Sequence, residues 1–261
     1  MDRTARIAAL AYGSLCYAVF FVTFLYLIGW VTGLVVPTAL DAAAQPGALG
    51  AALATDAALL ALFALQHSVM ARPGFKTWWT RLVPRPAERA TYVLASSLAL
   101  IALLAFWQPL PGTLWSVETG WLRDALTAGS LAGFGIVLVS TWLIDHFDLF
   151  GLRQVYLYFR GKPYSEKRFV TPGPYRHIRH PLYVGWLLAF WVTPVMTTGH
   201  LFFALLMTAY VLVAIRYEER DLAAALGEPY RSWRARTPMF VPRLGQRSEA
   251  DERAPRPAEA R

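Results

Sequence analysis

Cysteine is almost absent from this 261-residue chain: the single Cys16 lies in an apolar run. One cysteine excludes an intrachain disulfide framework and any multi-cysteine metal site. Charge is scarce too, at 16% Asp, Glu, Lys and Arg, against about 25% in an ordinary soluble domain. Acidic residues are the scarcer kind, 17 against 25 Lys and Arg, leaving a formal net charge of +8. What fills the chain instead is apolar, 56% of residues, with a mean hydropathy of +0.37. A water-soluble cytosolic enzyme, a secreted disulfide scaffold and a disordered protein are all excluded.

A bilayer core needs roughly 17–25 consecutive, mostly apolar helical residues. Residues 7–36 hold no charge and end at Pro37. Residues 48–70 form a second run, interrupted by Asp56 and closed by His67. Residues 90–107 and 125–144 are the third and fourth. Residues 181–215 are long enough for two short spans about a polar break at Thr197, Thr198, Gly199 and His200, with Pro194 bending the first arm. The first run is too long for a signal-peptide core and lacks a small-residue cleavage signature. The expected fold is an all-α integral membrane bundle of about six transmembrane helices, or five, ending in a helical hairpin. Its regions are a four-helix part over 1–144, a part over 145–244 that holds the polar loop, the hairpin and the charged segment after it, and a disordered tail over 245–261.

The basic residues decide orientation. Of the 25, all but Arg123 fall at the N-terminus, between runs two and three, between runs four and five, or after the last run. The positive-inside rule makes that face and both termini cytoplasmic, as in a bacterial inner membrane. The basic excess is therefore an orientation signal and gives nucleic-acid binding no support. Nothing points to an obligate protein partner; membrane lipid is the expected surrounding. Residues 149–159 mix apolar and aromatic side chains as an interfacial helix does. Gly129 and Gly133 make a small-xxx-small pair suited to close helix packing.

Chemistry-bearing residues collect at the basic face. Asp56 stands apart, deep in a span, and reads either as a proton or substrate site or as an interhelical hydrogen-bonding group. His67 closes the second run, while Asp145, His146 and Asp148 close the fourth. If those helices pack together, imidazoles and carboxylates meet at one depth and could move a proton; the other reading is a helix-end cluster wetted by headgroups. Neither Glu-x-x-His nor His-x-x-x-His spacing occurs among them, so no metal is assigned. Residues 171–186 are the densest segment: Pro172-Gly173-Pro174 sets a turn, Tyr175, Arg176, His177, Arg179 and His180 follow, and Pro181 suits the first turn of a helix. Donors and cations at that helix start favour an anionic group. Tyr183 and Trp186 offer aromatic faces to a cation or a flat base. Glu218 and Glu219 return carboxylates to the same face after the last run, with Tyr230 beyond them.

His180-Pro181-Leu182-Tyr183-Val184-Gly185, a hydrophobic hairpin, and Glu218-Glu219 with downstream Gly227 and Tyr230 resemble the isoprenylcysteine carboxyl methyltransferase-like superfamily. The segments 145–154, Pro163-Tyr164 and Gln66-His67-Ser68 are similar to one subgroup, the methanethiol S-methyltransferases. Related sequences include NnrU-type membrane proteins. The resemblance implies a membrane enzyme that uses S-adenosyl-L-methionine to methylate a small thiol, methanethiol, to dimethyl sulfide. It implies cofactor contacts from Tyr175, Arg176, His177, Arg179, His180, Pro181, Tyr183, Gly185, Trp186, Glu218, Glu219 and Tyr230. A thiol reacts as its thiolate, so a proton acceptor is needed; His67, Asp145, His146 and Asp148 are the candidates. A methyltransferase acting on a lipid or prenyl-type carboxylate, and a non-enzymatic NnrU-like protein, are the alternatives.

Overall fold

The computed structural model describes residues 3–44, 47–165 and 170–242; the tail expected to be disordered, 245–261, lies outside them. The chain runs α1 (Arg3–Thr32), α2 (Leu49–Ala71), the short α3 (Pro73–Trp79), α4 (Arg85–Phe106), β1 (Thr113–Ser116), α5 (Trp121–Ile144), α6 (His146–Leu149) and α7 (Leu152–Phe159). A 3₁₀ turn at Gly173–Arg176, then α8 (Pro181–Trp191), β2 (Val195–Thr197), α9 (Thr198–Leu226) and α10 (Glu228–Arg236) complete it. Helices α1, α2, α4, α5 and α9 are long and apolar enough to cross a membrane, which makes this a multi-pass membrane protein.

The sixth crossing differs from a plain helical hairpin. Helix α8 has only 11 residues, about 16 Å of rise against a hydrocarbon core of about 30 Å. It starts at the basic face, where its leading segment meets the end of α9, and stops partway. The remaining distance is covered by near-extended chain that ends in β2. Pro194 therefore follows the helix end and does not bend it. Strand β2 pairs antiparallel with β1 at the opposite face, Ser116 facing Val195 and Thr113 facing Thr197. Non-helical backbone is tolerated at this depth only where protein satisfies its polar groups, and here it does. Val117 N–H donates to the Pro194 carbonyl at 2.9 Å, and the Trp115 indole N–H donates to the Thr193 carbonyl at 3.2 Å. The open carbonyls at the end of α8 are taken as well: the Ser130 hydroxyl donates to Ala189, and His200 Nε2 to Phe190, each at 2.8 Å.

Glycines let α8 and α5 touch backbone to backbone. A Cβ on Gly133 would stand 2.5 Å from the Ala189 nitrogen, and one on Gly185 would stand 2.7 Å from the Gly133 carbonyl oxygen. The small-xxx-small reading of this helix is thus realised, with Gly129 against Val192. The core is aromatic: Trp30 of α1, Trp107 at the end of α4 and Phe203 of α9 meet edge to face, as do Phe24 of α1, Phe134 of α5 and Trp186 of α8. Helix α7 packs one side on α1 and leaves Tyr156 and Phe159 exposed. Its Val155 is fully buried, wedged where a Cβ on Gly13 of α1 would collide with it.

Asp56 belongs to this scaffold. Fully buried in α2, it accepts the Gln108 backbone N–H at 2.8 Å just past the end of α4. That bond ties the two helices at the opposite face and realises the interhelical reading.

Candidate functional site

Glu218 and Glu219 are neighbours on α9, and the turn of about 100° between successive helical residues sends them different ways. Glu219, 7% exposed in its side chain, gathers the C-terminal segments. Its Oε1 accepts Arg179 Nε at 2.7 Å and His180 Nε2 at 2.9 Å, and its Oε2 forms an ion pair with Arg234 Nε at 3.0 Å. Arg179 also donates to the carbonyls of Arg234 and Thr237. Backbone bonds from Arg179 and His180 to Pro238 and Met239 close the seam. The entry to α8 is thereby fastened to α9 and α10. Arg176 and His177, one turn earlier, remain exposed.

Glu218 turns inward, where its Oε2 accepts the Tyr183 hydroxyl at 2.9 Å. Tyr175 stands beside Ser140 and within range of Glu218. Burial, and then the Glu218 charge, hold its phenol proton well above the usual range. The buried Tyr230 behaves alike: burial and then the charges of Glu219 and Glu218 push its phenol up to about 12. Pro181 is buried at the first turn of α8. Gly185 lies against α5, and Trp186 sits in the aromatic core with its ring 5.8 Å from that of Phe134.

His67 joins this inner group from α2. Its Nδ1 lies 3.1 Å from the Ser96 hydroxyl, and the Tyr92 hydroxyl lies 2.9 Å from its Nε2 and 3.2 Å from its Nδ1. The Ser96 hydroxyl proton goes to the Tyr92 carbonyl at 3.0 Å. A hydroxyl has one proton to give, so Nδ1–H donates to Ser96, and Nε2 accepts from Tyr92. Tyr210, hydrogen-bonded to Ser68, and Phe63, stacked on the imidazole, wall the group. Tyr92 and Tyr210 are both within electrostatic range of Tyr183. Four helices thus bring His67, Tyr92, Tyr210, Tyr183 and Glu218 together, and the Arg72–Asp221 ion pair at 2.7 Å ties α2 to α9 at the rim.

The expectation that His67 meets Asp145, His146 and Asp148 is not realised, because α2 packs on α4 and α9 while α5 packs on α8 and α1. His146 is buried behind α1. Its Nε2 lies 2.8 Å from the Tyr17 hydroxyl and its Nδ1 2.8 Å from the Thr141 hydroxyl, whose proton goes to the Leu138 carbonyl. Trp142 stacks on the ring at 4.5 Å. Burial pushes the His146 imidazole below its ordinary value. Asp145 caps α6 by accepting the Asp148 N–H at 3.3 Å. Asp148 pairs with Arg153 at 3.0 Å and accepts the Tyr164 hydroxyl at 3.1 Å.

Sequence reasoning missed Tyr92, Ser96, Tyr210 and Tyr17. One signal was available: Tyr92 and Ser96 are four residues apart, hence on one helix face. It also missed a couple at the opposite face between the buried His200 and the partly exposed Asp41. Asp41 accepts His200 Nδ1 at 2.8 Å and the Thr197 hydroxyl at 2.7 Å. Among the described residues, no group of three or more His, Cys, Asp or Glu could hold a metal ion.

Comparisons with known proteins follow the same lines. Residues 153–224 match the family model described as the isoprenylcysteine carboxyl methyltransferase (ICMT) family. The chain is 51% identical over 246 residues to a methanethiol S-methyltransferase of Crocosphaera subtropica, covering 94% of this chain and 95% of that protein. It is 50% identical over 238 residues to a methanethiol S-methyltransferase of Mycobacterium tuberculosis, covering 91% and 97%. It is also 34% identical over 192 residues to Nurim of Rattus norvegicus, covering 69% and 72%. No solved structure matches.

Proposed function

The chain belongs to the methanethiol S-methyltransferase family, and from that premise we propose that it methylates methanethiol with S-adenosyl-L-methionine, releasing dimethyl sulfide and S-adenosylhomocysteine. The reaction is assigned to the basic face, taken as cytoplasmic in a bacterial inner membrane. One observation carries this reading: the Tyr92–His67 pair and the Tyr183–Glu218 pair converge on one inner group.

The residues present suit the cofactor. Glu218 Oε1 accepts no hydrogen bond among the described residues, which fits it for a ribose hydroxyl or the ammonium. Tyr175 and Tyr183 supply aromatic surface beside it, favourable to a sulfonium cation. Arg179 and His180 are engaged by Glu219, so the exposed Arg176 is the cation left for the carboxylate, with the His177 ring beside it as a further donor. When bound, S-adenosyl-L-methionine supplies an electrophilic methyl group. The chain contributes alignment and removal of the thiol proton. The Tyr92 oxygen receives that proton as the phenol proton passes to His67 Nε2, and Ser96 steadies Nδ1–H. The sulfur is left as thiolate and His67 as imidazolium.

The test supplies the detergent-purified protein with S-adenosyl-L-methionine and methanethiol and measures dimethyl sulfide in the headspace. Product that requires both reactants is expected. Cofactor binding without product would remove the acceptor but keep the methyltransferase; failure to bind the cofactor would remove both. The match over residues 153–224 supports one second reading, a prenylated carboxylate acceptor. Farnesylated cysteine in the same assay yields a methyl ester only if that reading holds.

A further inference from the structure

A second cavity region lies apart from the Tyr183–Glu218 group. It has a volume of about 820 Å³ and opens at the basic face among the starts of α1 and α4, the helix α3, and the chain around α7. Five cationic side chains line it: Arg6, Lys76, Arg85, Arg89 and Lys162. Two carboxylates share the wall. Asp148 is already held by Arg153, which is not part of the lining, and by the Tyr164 hydroxyl. Glu88 is the other, so the cavity carries a large positive excess.

Arg6 shows that this excess has a direction. Its Nε is buried and accepted by no oxygen among the described residues. Its guanidinium lies against Gly161, where a Cβ would come within 2.8 Å of Nη1. That nitrogen is closed off from the open cavity, but no ion pair among the described residues answers the Arg6 charge at the cavity wall. Arg89 is fixed at the wall by its Nε, which donates to the Leu149 carbonyl at 2.8 Å, and by the Tyr92 ring at 5.1 Å. Guanidinium forks held in this way match the geometry of phosphate oxygens.

The methyl donor does not fit here. It carries a sulfonium and an ammonium against one carboxylate, and five cations would repel that net positive charge. Helix α3, which supplies Lys76 to the wall, also carries apolar surface at the same face: Trp78 is 49% exposed and Leu82, just beyond the helix, 67%. A ligand with both a phosphate and hydrocarbon chains satisfies the cations and that surface together. Basic pockets between transmembrane helices take anionic headgroups in this manner.

We propose that this cavity binds the phosphate of an anionic glycerophospholipid. The site meets the methyl-transfer group at the Arg89–Tyr92 contact, and its occupancy is read without any turnover. The full chain, purified in detergent, is examined by native mass spectrometry with phosphatidylglycerol, with phosphatidylcholine of the same acyl chains, and with inorganic phosphate. Phosphatidylglycerol is expected to be retained in preference to phosphatidylcholine, with the preference falling about fivefold for each cation removed. Arg6→Gln and Arg85→Gln are the variants. Arg85 is exposed, so its substitution reads the site even if Arg6→Gln fails to fold. Arg123→Gln, on the opposite face, should leave the preference unchanged. Equal retention of the two lipids, or an unchanged preference in Arg85→Gln, would overturn the proposal. Displacement of phosphatidylglycerol by millimolar inorganic phosphate would mark a free-anion site and overturn the assignment to lipid.

Discussion

His67 and His146 are held by the same three-part arrangement in different surroundings. In each, a Ser or Thr hydroxyl bound to a backbone carbonyl receives Nδ1–H, and a tyrosine hydroxyl points at Nε2. His67 stands with Tyr183 and Glu218, whereas His146 is enclosed by Tyr17, Trp142 and Phe150. Their substitutions therefore separate. Tyr92→Phe removes the hydroxyl proposed to link sulfur to His67; dimethyl sulfide formation is expected to fall about 10²-fold or more, the usual contribution of a positioned proton acceptor. Equilibrium binding of the methyl donor should remain, and loss of both together would argue against a proton-transfer role. His146 acts on stability. Its folded-state value lies below the ordinary one, so the unfolded chain takes up the proton first. Its contribution is complete above about pH 6.5 and is lost as pH falls below that toward the depressed folded value. The thermal midpoint in detergent should drop on acidification across that window, and His146→Gln should flatten the drop. The two histidines were visible as candidates in the sequence. Their hydroxyl partners, such as Tyr17 at 129 residues' separation from His146, depend on long-range packing that no local pattern encodes.

At the scale of elements, the α5–α8 contact is the feature that local rules state most directly. Small residues permit close approach, and Gly133 with Gly185 shows what they permit. Gly133→Leu would push α8 away from α5 and, through it, shift Tyr183. Folded yield and cofactor binding are both expected to collapse. Gly135 lies on the same helix and faces open space. There Gly→Ala should instead raise stability by about 0.5–1 kcal/mol, the helical preference for alanine over glycine. The pair can be read by thermal unfolding in one detergent. Apolar runs in the sequence located every full-length span. They overran at residues 181–215, because hydropathy does not separate an apolar helix from apolar extended chain. The strand pair that makes the difference joins Thr113–Ser116 to Val195–Thr197, segments about 80 residues apart.

For the whole molecule, five full-length helices would by themselves leave the two termini on opposite faces. The broken crossing through α8 and β2 restores the parity, so the N-terminus and α10 share the basic face. Single cysteines placed in a Cys16→Ser background test this. A label that cannot cross the membrane should reach Thr80→Cys and Ser116→Cys from opposite sides. The charge along the chain leads to the same expectation, since positive residues mark a face whatever the secondary structure between them. It could not anticipate how His200 and Asp41 hold the break shut.

The broken crossing also governs how the protein can be made. An 11-residue helix ending short of the far interface is a poor candidate to partition into lipid unaided as it emerges during synthesis. Its exposed backbone beyond Trp191 finds partners only when β1 is already in position and α9 has followed it. The first four spanning helices must therefore wait in the bilayer for the last two elements to enter as a unit. In a translocon-insertion assay, residues 181–197 alone should fail to integrate, whereas residues 181–226 should do so as a hairpin. Completion of the methyl-transfer group, which draws Tyr183 from α8 and Glu218 from α9, would then be the final event of biogenesis.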